Sequence, residues 1–197
     1  MAVMRAFIAL ELSEEVAQRL DRISNELKLR FPHNAVRWVP AQNIHLTLKF
    51  LGDVSTANLE ALQKMIQAEC EDIPPFDLSV GSVGAFPSLN RPRVIWVGVT
   101  APAVLANLYR NIELAAARLG YPPEERPFSP HLTLGRAARN ASPAELQQIG
   151  QALRGYNIGF LGAVHIPAVH LYKSDLSPAG ARYTKLFTAW LKKPMEA

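Results

Sequence analysis

His45-Leu46-Thr47-Leu48 and His131-Leu132-Thr133-Leu134 are one tetrapeptide written twice, 86 residues apart. Each copy follows a polar or proline-marked entry, Asn43-Ile44 or Ser129-Pro130, and each runs on into glycine, at Gly52 or Gly135. Side chains of a β-strand alternate between faces. Each copy therefore sets His and Thr on one face and two leucines on the other. The leucine face is suited to burial, which leaves the His/Thr face free to line a cleft. Two such strands side by side present two imidazoles and two hydroxyls to one space.

Working outward, residues 5–12 alternate as a first strand, and Ser13 with Glu14 and Glu15 caps an amphipathic helix to about Arg30. A short extended piece at 36–39 leads to the first motif strand. A second helix is expected to open at Asp53-Val54-Ser55 and end before Pro74-Pro75. Phe76–Val80 and 93–99 read as a hairpin across the turn Leu89-Asn90-Arg91-Pro92. A third helix fits 102–119, and Ser142-Pro143-Ala144-Glu145 is a capping box that opens a fourth. Strands near 157–165, 168–174 and 182–188 finish the chain, the last two joined by a turn at Ser177-Pro178-Ala179-Gly180. Without strict βαβ alternation, this order predicts an α+β fold. We expect one domain over 1–197, with two pseudo-symmetric lobes of mainly antiparallel sheet, helices outside and a central cleft.

The composition bounds the possibilities. At 49% hydrophobic and 19% charged, the 197 residues have the make-up of a folded globular chain. Apolar runs are too short and too interrupted to span a membrane, and the N-terminal run meets Glu11, Glu14 and Glu15 where a signal peptide would continue. The lone Cys70 excludes an intramolecular disulfide and a thiolate metal cluster. A cytoplasmic monomer without membrane contact is expected. The net charge of +4 leans only weakly towards anionic partners.

Strand residues two apart lie ~6.6 Å apart along the chain, so a His and a Thr at that spacing both reach a group the size of a phosphate. The hydroxyl can donate to a non-bridging oxygen while the imidazole acts on an attacking or leaving oxygen. Two histidines facing each other across one phosphorus make a complete acid–base pair, since an ordinary pKa of ~6.5 makes both protonation states accessible near neutrality. Such a pair needs no cofactor to open a strained cyclic phosphate, and no metal site is expected.

The residues resemble those of the 2H phosphoesterase superfamily, specifically the RNA 2′,3′-cyclic phosphodiesterases also called 2′-5′ RNA ligases. The resemblance covers nearly the whole chain. It runs through Arg5-Ala6-Phe7-Ile8-Ala9-Leu10, Arg37-Trp38-Val39-Pro40 and the first motif to Gly52, then residues 92–99, residues 127–136 and Leu171-Tyr172-Lys173-Ser174. It implies His45 as general acid and His131 as general base, although the near-identical copies themselves fit either assignment. Thr47 and Thr133 would hold the phosphate. The implied substrates are RNA ends or nucleotides carrying a 2′,3′-cyclic phosphate, opened to 2′-phosphomonoesters, with 2′-5′ joining of RNA ends as the reverse reaction.

Three further residues are weighed as substrate-binding. Lys49 shares parity with His45 and Thr47, so it should line the cleft. Arg136 has the wrong parity by strict alternation, yet the resemblance implies that an arginine here reaches the phosphate or nucleotide, and Gly135 permits a bulge or strand end that would re-aim it. Phe7 is weighed between stacking on a base and packing in the core. His33, His165 and His170 read as structural or solvated, Trp38 and Trp96 as core or cleft wall, and Cys70 as a small semi-buried residue. Two rival readings remain open: the same chemistry on a small nucleotide cyclic phosphate or 2′-5′ oligoadenylate, and a nucleotide- or RNA-binding module whose histidines only bind phosphate, without turnover.

Overall fold

The computed structural model describes residues 2–177 and 180–192. In chain order its strands are β1 (Val3–Leu10), β2 (Val36–Trp38), β3 (Leu46–Ser55), β4 (Phe76–Phe86), β5 (Val94–Thr100), β6 (His131–Ala137), β7 (Phe160–Ile166), β8 (Ala168–Ser177) and β9 (Gly180–Trp190). Its helices are α1 (Glu14–Arg30), α2 (Leu59–Cys70), α3 (Ala103–Arg118) and α4 (Pro143–Arg154).

The helices form where their ends are satisfied and one face is apolar. Ser13 accepts from the Val16 amide at the start of α1, Glu14 and Glu15 complement the helix dipole, and Lys28 and Arg30 occupy the last turn. Val16, Leu20, Ile23 and Leu27 then share one buried stripe. In α4 the expected capping box is present, Ser142 and Glu145 each bonding the other's backbone with Pro143 in the first turn.

One expectation is corrected between them. Asp53-Val54-Ser55 opens no helix; β3 continues through Ser55, because β1 pairs with it from Leu10↔Leu46 to Val3↔Ser55. The ladder captures those residues, Gly52 bends the strand at a φ of 70°, and a 3₁₀ turn at Thr56–Asn58 precedes α2. Of the expected turn at 177–180, Pro178 and Ala179 lie outside the described residues.

All recorded strand pairs are antiparallel. The order is β7-β4-β5-β6-β3-β1-β8-β9, with β2 pairing on β6. The sheet divides into two groups of four at its middle, because β3 and β6 meet through one Cα pair, Leu46↔Leu132. Helices α2 and α3 pack outside the β3-β1-β8-β9 half; α1 and α4 pack against β7 and β4 of the other. The motif leucines lie in the main core between sheet and helices, Leu46, Leu132 and Leu134 at 0% exposure and Leu48 at 3%. A second, small cluster of Phe7, Ala9 and Tyr172 lies on the opposite, cleft-facing side. The fold is therefore the mainly antiparallel α+β arrangement, with helices outside, that the sequence predicted. No described helix is long and apolar enough to cross a membrane.

Candidate active site

The antiparallel register through Leu46↔Leu132 sets His45 across from Thr133 and Thr47 across from His131. The two histidines are then diagonal neighbours, a relation of ~7–8 Å in an antiparallel pair and somewhat less between Cβ atoms. A local twofold passes between the two leucines. Each ring is fixed in the same way: His45 Nδ1–H donates to the Asn43 carbonyl and His131 Nδ1–H to the Ser129 carbonyl, both at 2.8 Å. A carbonyl only accepts, so each neutral imidazole carries its proton on Nδ1 and keeps the Nε2 lone pair for the cleft. Asn43 is itself anchored, its side-chain amide donating to the Ala181 carbonyl at 2.8 Å.

The surroundings of the two rings differ. His45 stacks on Phe7, with centroids 4.6 Å apart and planes 21° apart, and Phe7 stacks in turn on Tyr172 at 5.2 Å. Tyr183 closes this box edge-on, 5.3 Å from His45 and 4.9 Å from Phe7. His131 meets Phe86 edge-on at 4.9 Å and is otherwise more open. Burial pushes His45 down to about 4, with the nearby His131 adding to the shift and the Asn43 carbonyl opposing it. His131 is also lowered, by burial and by the Arg136 guanidinium, against its bond to Ser129. The crossing at Leu46↔Leu132 sets the two imidazoles beside one space.

Arg136 reaches that space through a bulge. Ile95 pairs with Gly135 but Trp96 with Thr133, so Leu134 is the extra residue, and parity reverses after it. Gly135 turns inward, where an added Cβ would lie 2.7 Å from Val36 Cγ1, and Arg136 turns to the His131 face.

The same device corrects the expectation for Lys49. Ala9 pairs with Thr47 but Ile8 with Lys49, so Leu48 is extra in β3. Lys49 then points into the core at 4% exposure. There its ammonium donates to Glu113 at 2.8 Å and to the Pro122 carbonyl at 2.5 Å, far from a cleft-lining position. Its place on the cleft face goes to Phe50, which is 62% exposed and 6.1 Å from Phe7 between ring centroids. Phe7 itself, at 2% exposure, is the platform beneath His45 and offers no free face.

Several cleft-side residues were not singled out from the sequence. Glu11 receives the Tyr172 hydroxyl, Lys185 Nζ at 2.8 Å and the His170 ring at 3.3 Å. Burial alone would raise Glu11, but these partners outweigh it and hold the carboxyl below its ordinary range. His170, 6% exposed and bonded to Thr188 at 3.0 Å, belongs to this support. Parity with Tyr172 along β8 was the available signal. Trp96 meets Phe86 at 5.2 Å on the cleft floor, whereas Trp38 packs on Phe31 at 5.6 Å, on the core side. His33 is exposed in a turn, His165 bonds Asp77 at the surface, and Cys70 is fully buried. Among the described residues, no three His, Cys, Asp or Glu side chains are grouped to hold a metal ion.

A cleft of paired imidazoles, hydroxyls and a guanidinium is suited to phosphate esters, and comparison with known proteins gives the same class: a phosphoesterase, hence a hydrolase. The chain belongs to the LigT-like phosphoesterase family, whose model matches it twice in tandem, over residues 10–96 and 97–183, one motif in each. An RNA 2′,3′-cyclic phosphodiesterase of Methanothermobacter thermautotrophicus is 32% identical over 183 residues, 93% of this chain and 96% of that one. The crystal structure of Escherichia coli LigT complexed with 3′-AMP superposes with a TM-score of 0.77 at 29% identity, over 98% of this chain and all of that one. A Thermus thermophilus crystal structure gives 0.80 at 26% identity, over 96% and 98%.

Proposed function

We propose that this phosphoesterase opens 2′,3′-cyclic phosphates at RNA ends to 2′-phosphomonoesters, with His45 and His131 as the acid–base pair. The observation that supports it most is the crossing at Leu46↔Leu132, with both Nδ1 atoms tied to backbone and both Nε2 atoms left to the cleft. One neutral imidazole takes a proton from water as its oxygen attacks phosphorus. The P–O3′ bond breaks, and the other imidazole, protonated, gives its proton to O3′. Thr47, Thr133 and Arg136 donate to the non-bridging oxygens, where charge builds. The resemblance assigns the acid to His45 and the base to His131. With burial holding His45 at about 4, its acid role depends on the substrate, whose phosphate anion beside the ring favours the charged imidazolium. The exposed face of Phe50 is available for a base to stack on. A 5′-hydroxyl in place of water, with the same proton transfers, yields a 2′-5′ phosphodiester.

The test is product analysis on an RNA ending in a 2′,3′-cyclic phosphate. The expected product is the 2′-phosphate, lost by orders of magnitude in His45→Ala and in His131→Ala with the fold intact. A 3′-phosphate product, or near-full activity in either variant, would refute the reading.

A further inference from the structure

Beyond the paired histidines, β2 carries a feature that the proposed chemistry leaves unused. Its register on β6 is Val36↔Ala137, Arg37↔Arg136 and Trp38↔Gly135. Val36, Ala137 and Gly135 are buried and Trp38 packs on the core, so Arg37 shares the opposite, cleft-facing side with Arg136. Directly opposed residues of antiparallel strands bring their Cβ atoms to ~5 Å, and like charges so placed repel. Both arginines are exposed, and no carboxylate among the described residues pairs with either. Two unpaired guanidiniums side by side favour anions: with Arg136 on the cyclic phosphate, Arg37 can present its planar fork of donors to the next phosphate of the chain.

A second observation lies at the same end of the cleft. A groove of about 1050 Å³ opens beside His45 and runs past Asn43 to Arg22 of α1, with Tyr183 and Lys185 on its other wall. Sites that hold whole organic ligands fall in this size range. Tyr183 joins the two features, because its hydroxyl feels the charge of Arg136 while its ring lines the groove. The walls carry acceptors in Glu11, Glu14 and Asp21 and donors in Asn43, Arg22 and Lys185, which suits the hydroxyls and base edges of a nucleoside.

We infer that the cleft binds a second nucleotide of the RNA end, with Arg37, next to Arg136 on the cyclic phosphate, seating its phosphodiester and the groove beside His45 receiving its nucleoside. The inference rests on the cleft being the RNA-end site, and it makes an oligonucleotide the better substrate than a mononucleoside cyclic phosphate. Phosphate contacts of this kind position a chain without reading its sequence.

The test compares kcat/KM for adenosine 2′,3′-cyclic phosphate with that for the adenylyl dinucleotide ending in the same cyclic phosphate. The wild-type enzyme should favour the dinucleotide by about tenfold or more, equivalent to about 1.4 kcal/mol. That ratio should fall to near one in Arg37→Gln. It should fall likewise in the wild-type enzyme when the internal linkage is a neutral methylphosphonate, an arm that needs no variant. No dinucleotide preference, or a preference kept in both arms, overturns the inference and leaves a single-nucleotide enzyme. If neither substrate is opened, the phosphodiesterase reading itself fails, a separate outcome.

Discussion

The imidazole of His45 lies flat on the ring of Phe7, 4.6 Å between centroids, and Phe7 is held from behind by Tyr172. His131 has an edge contact to Phe86 in the matching place. Two motifs of identical sequence therefore hold their histidines in unequal surroundings, and the inequality has consequences that titration can detect.

Burial holds both imidazoles below their ordinary value, His45 at about 4. The active free enzyme needs one protonated and one neutral ring, and kcat/KM reports free-enzyme ionisations. Its pH profile should be a bell whose maximum lies below pH 6.5, with the alkaline limb falling as the second proton is lost. A plateau extending to pH 8 would contradict the pairing.

Stability should respond in the same window. Above pH 6.5 His45 is neutral in both folded and unfolded chains and contributes nothing. As pH falls from 6.5 towards 4, the unfolded chain takes up a proton that the folded chain refuses, so folding weakens. The loss from this residue is on the order of 3 kcal/mol. Urea denaturation from pH 7.5 to 4.5 should show a shallower decline in His45→Gln than in the parent. Equal slopes would mean that the ring is not buried.

Lys49 and Glu113 form a buried ion pair at 2.8 Å, with Glu113 also accepting from the Glu124 amide. Breaking such a pair from one side leaves a buried charge and costs about 3–5 kcal/mol, whereas replacing both partners with apolar residues is far milder. Chemical denaturation of Lys49→Met should show the larger loss, and Lys49→Met with Glu113→Leu a partial recovery. KM of the folded Lys49→Met enzyme should stay near the parent's; a tenfold rise would return Lys49 to the cleft.

Phe50 is a large apolar side chain exposed on the cleft face. Stacking of a base on an aromatic ring contributes roughly 1–3 kcal/mol, so Phe50→Ala should raise KM for RNA-end substrates by about 5- to 150-fold. Phe50→Trp should restore binding. Unchanged KM in Phe50→Ala would remove the stacking role.

The legible part of this protein was what depends on neighbours in sequence. Alternation marked β3 and β6 as strands with an apolar and a polar face, and the Ser13 and Ser142 caps marked where α1 and α4 begin. Lys49 shows where that reading ends. Strict parity sent it to the cleft, but one extra residue at Leu48 turned it to Glu113, because ladder spacing is set by the partner strand. The same extra residue at Leu134 brought Arg136 to the cleft, where parity had placed it outside. Phe50 escaped notice for the same reason. Glu11, Tyr172, Tyr183 and Lys185 come together only because β8 pairs onto β1, and β9 onto β8, from the far end of the chain.

By itself the amino-acid sequence determined the two polar-faced motif strands, the capped amphipathic helices and the mainly antiparallel class, all consequences of local periodicity and end chemistry. Tertiary structure decided which side chains share the cleft. It did so through the Leu46↔Leu132 crossing and the two bulges, since register and parity are settled between strands whose contacts are remote in sequence.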